Sequence, residues 1–276
     1  MKENKKDKVS DLISDVYDVN KTLVMGILNA TPDSFFSDSR CLNENEIVSR
    51  VSTMLAEGAS IIDIGGCSTR PGGILTSEEE ELRRVDHALQ CVRKVYPSIA
   101  LSVDTFRSSV ARMAVEDFDV SIINDVYSYD KDVRMLDTIA SLNVAYVLTH
   151  SREINSDCCD FMKEIFCFFA DKIKELKEKG VERIYVDPGY GFGKTMEQNF
   201  QLLARQLELK SFGYPILAGL SRKRMVWQTL GITPEESLNG TSVLNTLAVR
   251  QGASLLRVHD VKAAVEVVRL TSSCTY

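Results

Sequence analysis

Short runs rich in β-branched residues recur along this chain. Each breaks into polar, glycine or proline residues before a longer segment of helical spacing. The runs fall at residues 22–28, 60–64, 101–103, 121–123, 144–148, 183–186, 215–218 and 254–258. Their length and near-continuous apolar character fit strands covered on both faces. Between them, Glu44–Glu57 ends at Gly58, a common helix stop, and the acidic first turn Glu78 to Glu81 suits the positive end of a helix. Residues 161–179 carry apolar side chains at helical spacing, with Phe168 and Phe169 on the core side. Strand and helix thus alternate about eight times, which predicts an α/β (β/α)8 TIM barrel. A doubly wound open sheet would call for a glycine-rich first turn, and none follows Leu28. The expected organisation is a tail over residues 1–20 and one barrel domain over residues 21–276.

The polar breaks carry the candidate chemistry. They are Asn29, Asp63-Ile64-Gly65-Gly66, Asp104-Thr105, Asn124-Asp125, Thr149-His150, Asp187-Pro188-Gly189, Ser221-Arg222-Lys223 and Arg257-Val258-His259. In a (β/α)8 barrel such strand ends converge on the C-terminal face, where active sites lie. Arg257 and His259 are two residues apart, so a strand would put both donors on one side. A planar guanidinium beside an imidazole suits a phosphate group.

Composition narrows the field. A chain of 276 residues fits one barrel or two small domains, and a hydrophobic share of 44% supplies a full core. The net charge of -6 argues against a nucleic-acid-binding surface. Cys41, Cys67, Cys91, Cys158, Cys159, Cys167 and Cys274 show no C-x-x-C spacing, so reduced thiols and a cytoplasmic setting are expected. The tail has no apolar segment resembling a signal peptide, and no run approaches the ~18 residues of a membrane span. Gly193-Lys194-Thr195 mimics the end of a phosphate-binding P-loop, but Pro188 stands where the first glycine belongs.

Longer strings make the picture specific. Gly26-Ile27-Leu28-Asn29-Ala30-Thr31-Pro32-Asp33-Ser34-Phe35 resembles the first signature of the dihydropteroate synthase family, and Asp63-Ile64-Gly65-Gly66-Cys67-Ser68-Thr69-Arg70-Pro71-Gly72 resembles the second. Ser102-Val103-Asp104-Thr105, Ile123-Asn124-Asp125, the stretch from Asp187 to Lys194, Gly219-Leu220-Ser221-Arg222-Lys223 and Arg257-Val258-His259-Asp260 follow in the family's order. The resemblance implies condensation of 7,8-dihydropterin-6-ylmethyl diphosphate with 4-aminobenzoate, a target reaction of sulfonamides. It implies pterin contacts from Asp104, Asn124, Asp187 and Lys223, and diphosphate contacts from Asn29, Arg257 and His259. Asn29 would also share a Mg2+ with the diphosphate. Lys223, Arg257, His259 and Asp104 are the implied catalytic groups. Phe35, Thr69, Arg70, Pro71, Phe192 and Arg224 would form the aminobenzoate pocket, partly on mobile loops at residues 29–41 and 65–77. A homodimer is likewise implied.

The pattern has departures. Cys67 replaces a frequent Glu, Arg224 replaces a Ser, and Thr149-His150-Ser151 replaces a methionine-flanked histidine. Asn124-Asp125-Val126-Tyr127 lacks the usual glycine, and either Ser37 or Asp38 could fill the first loop's acidic position. Two other functions compete: a pterin-barrel methyltransferase, and a pterin-binding paralogue that acts only as a partner. The first has no need of Arg257 with His259; the second has no need of Asn29, Lys223, Arg257 and His259 together.

Overall fold

The computed structural model describes residues 21–30, 43–67, 75–154 and 160–274. Outside them lie the expected tail, both loop tips with Phe35, Ser37, Asp38, Thr69, Arg70 and Pro71, and Cys41, Cys158 and Cys159. Eight parallel strands close into a barrel in sequence order. They are β1 (Leu23–Asn29), β2 (Ile61–Gly65), β3 (Ala100–Asp104), β4 (Ile122–Asp125), β5 (Ala145–Thr149), β6 (Ile184–Asp187), β7 (Ile216–Ala218) and β8 (Ala253–Val258). Each predicted run overlaps one of these strands, with ends that differ by two residues at most, and the (β/α)8 expectation holds.

The helices among the described residues are α1 (Glu44–Glu57), α2 (Glu78–Val95), α3 (Ser108–Phe118), α4 (Met135–Leu142), α5 (Phe161–Glu178), α6 (Met196–Arg205), α7 (Arg224–Leu230), α8 (Leu238–Arg250) and α9 (Val261–Ser273). Helix α1 ends as its sequence predicts: Gly58 takes a φ of 103° and its N–H donates back to the last turn. Its start is closed by a reciprocal capping box between Asn43 and Glu46. Phe168 and Phe169 pack in the core between sheet and helices.

Two apolar layers result from strand alternation. Outward residues such as Ile62, Ile64 and Leu148 pack under the helices, while Met25, Ile61, Val147, Tyr185, Leu217 and Leu255 fill the barrel interior. That interior plug covers the lower part of the barrel. Polar residues occupy the inward positions nearer the strand ends.

Connections at the C-terminal face are held by buried polar side chains. Arg84 donates from Nη1 to the Gly66 carbonyl at 3.2 Å, and Arg107 donates to the Thr76 carbonyl. The two arginines therefore tie both stems of the β2–α2 connection, and buried Glu81 accepts from Arg107 and from Thr105. Asp125 faces away from the barrel axis and accepts from the Tyr127 and Tyr129 N–H groups at 2.9 and 2.8 Å and from the Tyr146 hydroxyl at 2.8 Å. This turn carries Ser128 and Tyr129 at φ of 52° and 56°.

The β5 and β6 ends touch at Gly189, whose φ is 70°. A Cβ there would collide with the His150 carbonyl, whereas Gly180, also left-handed at 80°, has open space. Gly180→Ala therefore carries backbone strain alone, about 1–2 kcal/mol. Gly189→Ala should lose at least about 2 kcal/mol more, because a backbone carbonyl must move. Urea denaturation of the two variants checks this difference; equal losses would mean the β5–β6 contact yields freely.

Candidate active site

The inward alternation of the strands brings Asp63, Asp104, Asn124 and Arg257 together above the apolar plug. Arg257 on β8 donates from Nε to Asp63 Oδ2 at 2.6 Å and from Nη2 to Asp104 Oδ2 at 2.7 Å. The same Asp63 oxygen accepts from Asn124 Nδ2 at 3.1 Å. Four strands are thus joined by one charged cluster. Burial works against the Arg257 charge, but the two carboxylates outweigh it and hold the guanidinium above its usual range. Burial pushes the Asp104 carboxyl up to about 7, against the pull of Arg257.

A second group lies at the ends of β6 and β7. Asp187 Oδ1 accepts from the Gly189 N–H at 2.8 Å, so this residue shapes its turn as well as facing the barrel mouth. Burial raises its carboxyl, with the Lys223 charge and the Gly189 N–H opposing. Lys223 donates to the Tyr190 carbonyl, and its Nζ lies 4.7 Å from the centre of the Phe192 ring. Burial pushes the Lys223 ammonium down to about 8, against the nearby Asp187 charge.

The β7 and β8 ends are stapled to each other. Arg222 donates to both Asp260 oxygens at 2.9 and 2.7 Å, and Ser221 Oγ lies 3.1 Å from His259 Nδ1. His259 falls one residue beyond the end of β8 and is exposed at the rim, while Arg257 points inward. Arg224 is exposed in the first turn of α7 and makes no hydrogen bond or ion pair with a described residue. Between the departures Thr149 and Ser151, the retained His150 is buried, with its ring edge-on to Phe168 at 4.8 Å. Burial, reinforced by the Lys194 charge, pushes it down to about 3, so it stays a neutral imidazole.

Three buried atoms on inward positions, Asp63 Oδ1, Ser102 Oγ and Thr149 Oγ1, have no hydrogen-bond partner among the described residues. Buried acceptors and hydroxyls left open in an apolar barrel are unfavourable unless a ligand or water meets them. Asp63 stands among the polar strand ends in the sequence, but sequence reasoning gives it no role in the site. Its signal was present: it is a carboxylate inside an otherwise apolar strand run, with Ile61 and Gly65 on its own face.

Comparison with known proteins settles the family. The profile described as "Pterin binding enzyme" matches residues 25–259. The dihydropteroate synthase of Clostridium beijerinckii is 39% identical over 91% of this chain and 93% of its own. A crystal structure of the Clostridium difficile dihydropteroate synthase in the presence of pteroic acid superposes with a TM-score of 0.85 at 38% identity, covering 92% of this chain and 96% of that one. The Yersinia pestis dihydropteroate synthase in a sulfonamide drug complex gives a TM-score of 0.86 at 37% identity, with 93% and 95% covered. The chain belongs to the dihydropteroate synthase family.

Asn29, which the family pattern implies as the residue that would hold a metal, stands at the end of β1. Its amide oxygen sits beside Gly65, on whose other side lies Asp104. No group of three His, Cys, Asp or Glu residues that could hold an ion exists among the described residues. One neutral oxygen fits a hard cation that takes its other ligands from substrate oxygens and water.

The Lys223 value makes a test of the ring site. Below about pH 8 the side chain is an ammonium and a full charge-assisted donor. Affinity for a pterin should fall as pH rises through about 8, and the Lys223→Met variant should lack that limb. Calorimetric titration across this range checks it; parallel profiles would remove Lys223 from ring binding.

Proposed function

We infer that the barrel mouth joins 7,8-dihydropterin-6-ylmethyl diphosphate to 4-aminobenzoate, giving 7,8-dihydropteroate and diphosphate. The observation that carries this reading is the open polar floor of Asp63, Ser102 and Thr149 beside the Asp187 carboxylate, inside an apolar barrel. A pterin edge is flat and rich in N–H donors, which such acceptors would meet. Asp187 accepts from the amino group and ring N–H. Asn124, whose amide is oriented by Asp63, both donates and accepts. Asp104 provides a further pterin contact. Lys223 turns from the Tyr190 carbonyl to the ring and borders the aminobenzoate side, where Phe192 forms a wall.

Arg257 and His259 serve the leaving group. Arg257 is already engaged through Nε and Nη2, which leaves Nη1 for a diphosphate oxygen. The neighbouring carboxylates hold its plane fixed before substrate arrives, the preorganisation that makes charge stabilisation effective. A Mg2+ at Asn29 would supply further neutralisation of the departing charge. The carbon–oxygen bond breaks ahead of amine attack, so the protein provides no nucleophile and the cysteines have no covalent role. The Thr69-Arg70-Pro71 segment with Phe35 and exposed Arg224 completes the aminobenzoate side, as the family pattern implies.

The protein acts in the cytoplasm as a homodimer. Among the described residues Cys91, Cys167 and Cys274 are free thiols, which suits a reducing compartment. The candidate dimer face crosses α8. Val243 and Leu247, one turn apart, are exposed on it, and exposed Leu230 of α7 packs against Gly240. At its far end Gly252 lies against exposed Leu207, which extends the apolar strip. A second copy is its natural cover, because an apolar strip repeated by a twofold axis meets itself. Val243→Glu combined with Leu247→Glu should convert a dimer to a monomer in light scattering; an unchanged mass would move the interface elsewhere.

Replacing Arg257 by Ala would strand two buried carboxylates, a loss of about 3–5 kcal/mol that would obscure its role. Arg257→Lys keeps the charge and loses the planar fork. It should lower turnover roughly 10²-fold and weaken inorganic diphosphate binding, with affinity for a pterin lacking diphosphate nearly kept. Calorimetry with the two ligands separates them, and equal losses would overturn the leaving-group role.

A further inference from the structure

The Gly193-Lys194-Thr195 string leads into α6, and its lysine makes several contacts. Lys194 Nζ donates to the His150 carbonyl at 2.8 Å, the Gly189 carbonyl at 3.0 Å and the Phe192 carbonyl at 3.1 Å. His150 Nδ1 lies 3.0 Å away as a further neighbour. None of these partners is a carboxylate. An ammonium spent on backbone carbonyls in a partly buried place is holding chain segments, as three donors on one point charge can do.

The segments it holds are those that build the ring side of the site. His150 ends β5. Gly189 is the residue whose N–H donates to Asp187 Oδ1. Phe192 places its ring under Lys223, and Tyr190, between the two glycines, gives its carbonyl to Lys223. The far half of the loop has its own anchors: the Thr195–Gln198 capping box, and Asn199 Oδ1 accepting from the Gly191 N–H at 2.7 Å. The near half leans on Lys194.

We propose that Lys194 is a positioning residue, whose ammonium ties the β6–α6 loop to the end of β5 so that Asp187, the Tyr190 carbonyl and the Phe192 ring keep register with Lys223. It touches no substrate itself. Neutral His150 fits this role, because a protonated imidazole would repel the ammonium. The assignment of the ring site rests on the function proposed above, but the tie itself does not.

The test uses Lys194→Met, which removes the donors, and Lys194→Gln, which keeps a shorter one. Without any ligand, amide hydrogen exchange at residues 189–193 should speed up by about 10-fold or more in Lys194→Met, since the loop loses hydrogen bonds to a charged group. With ligands, affinity for a pterin should fall about 10-fold or more on the same ground, while inorganic diphosphate, held from β8, should bind within about 2-fold of wild type. Lys194→Gln should lie between, and it carries the same criteria alone if Lys194→Met does not fold. Unchanged exchange, or parallel loss of pterin and diphosphate binding, overturns the inference. A wild-type protein that binds no pterin would instead remove the functional reading and leave the exchange experiment to decide the tie.

Discussion

The arginine between Asp63 and Asp104 is the constraint on which the upper half of this barrel depends. Charges inside a protein are expensive to desolvate, and they persist there only when closely paired. Here Arg257 meets two carboxylates at 2.6 and 2.7 Å, and Asn124 shares one of their oxygens. A slip of one residue in β2, β3, β4 or β8 would turn a member of the cluster out of the interior and strand the rest. The apolar plug below tolerates substitution by residues of similar volume; the charged cluster has no such freedom. It fixes register and, by the same bonds, the aim of the guanidinium.

The two halves of the site divide the chemistry. The β8 side carries positive charge already oriented by acids, the arrangement for receiving a polyanion and its growing charge. The β6 and β7 side sets a carboxyl raised by burial beside an ammonium lowered by burial. Burial disfavours the charge of each group, and each charge supports the other. Asp104, pushed up to about 7, belongs to the charged cluster at the end of β3.

Around this core, side chains that bind no substrate supply rigidity. Arg84 and Arg107 pin the stems of the β2–α2 connection, Asp125 holds the left-handed turn after β4, and Arg222 with Asp260 joins the last two strand ends. Each satisfies backbone or charged groups that would otherwise be stranded at the barrel mouth. Loops carry the function, and these polar anchors are what lets a loop present a group at a fixed place.

Much of the fold was legible in the sequence because strand burial and helix periodicity are local. Runs of β-branched residues, polar breaks after them, Gly58 closing α1 and the acid-rich start of α2 all follow from neighbours along the chain. The strand-end residues Asp104, Asn124, Asp187, Lys223 and Arg257 were readable as a set, since a parallel barrel must gather its strand ends on one face. Which of them touch was not readable. Arg257 and Asp63 are 194 residues apart, and only closure of β8 onto β1 brings them together. The same holds for Lys194: Pro188 already argued its string out of a phosphate loop, but only the fold set the lysine against the carbonyls of His150 and Gly189. His259 likewise took its neighbour from the fold: it falls just past β8, beside Ser221 at the end of β7. Local pattern determined the elements and their polar ends; long-range closure decided the partners, because a buried charge is stabilised by whatever three-dimensional neighbour the register delivers.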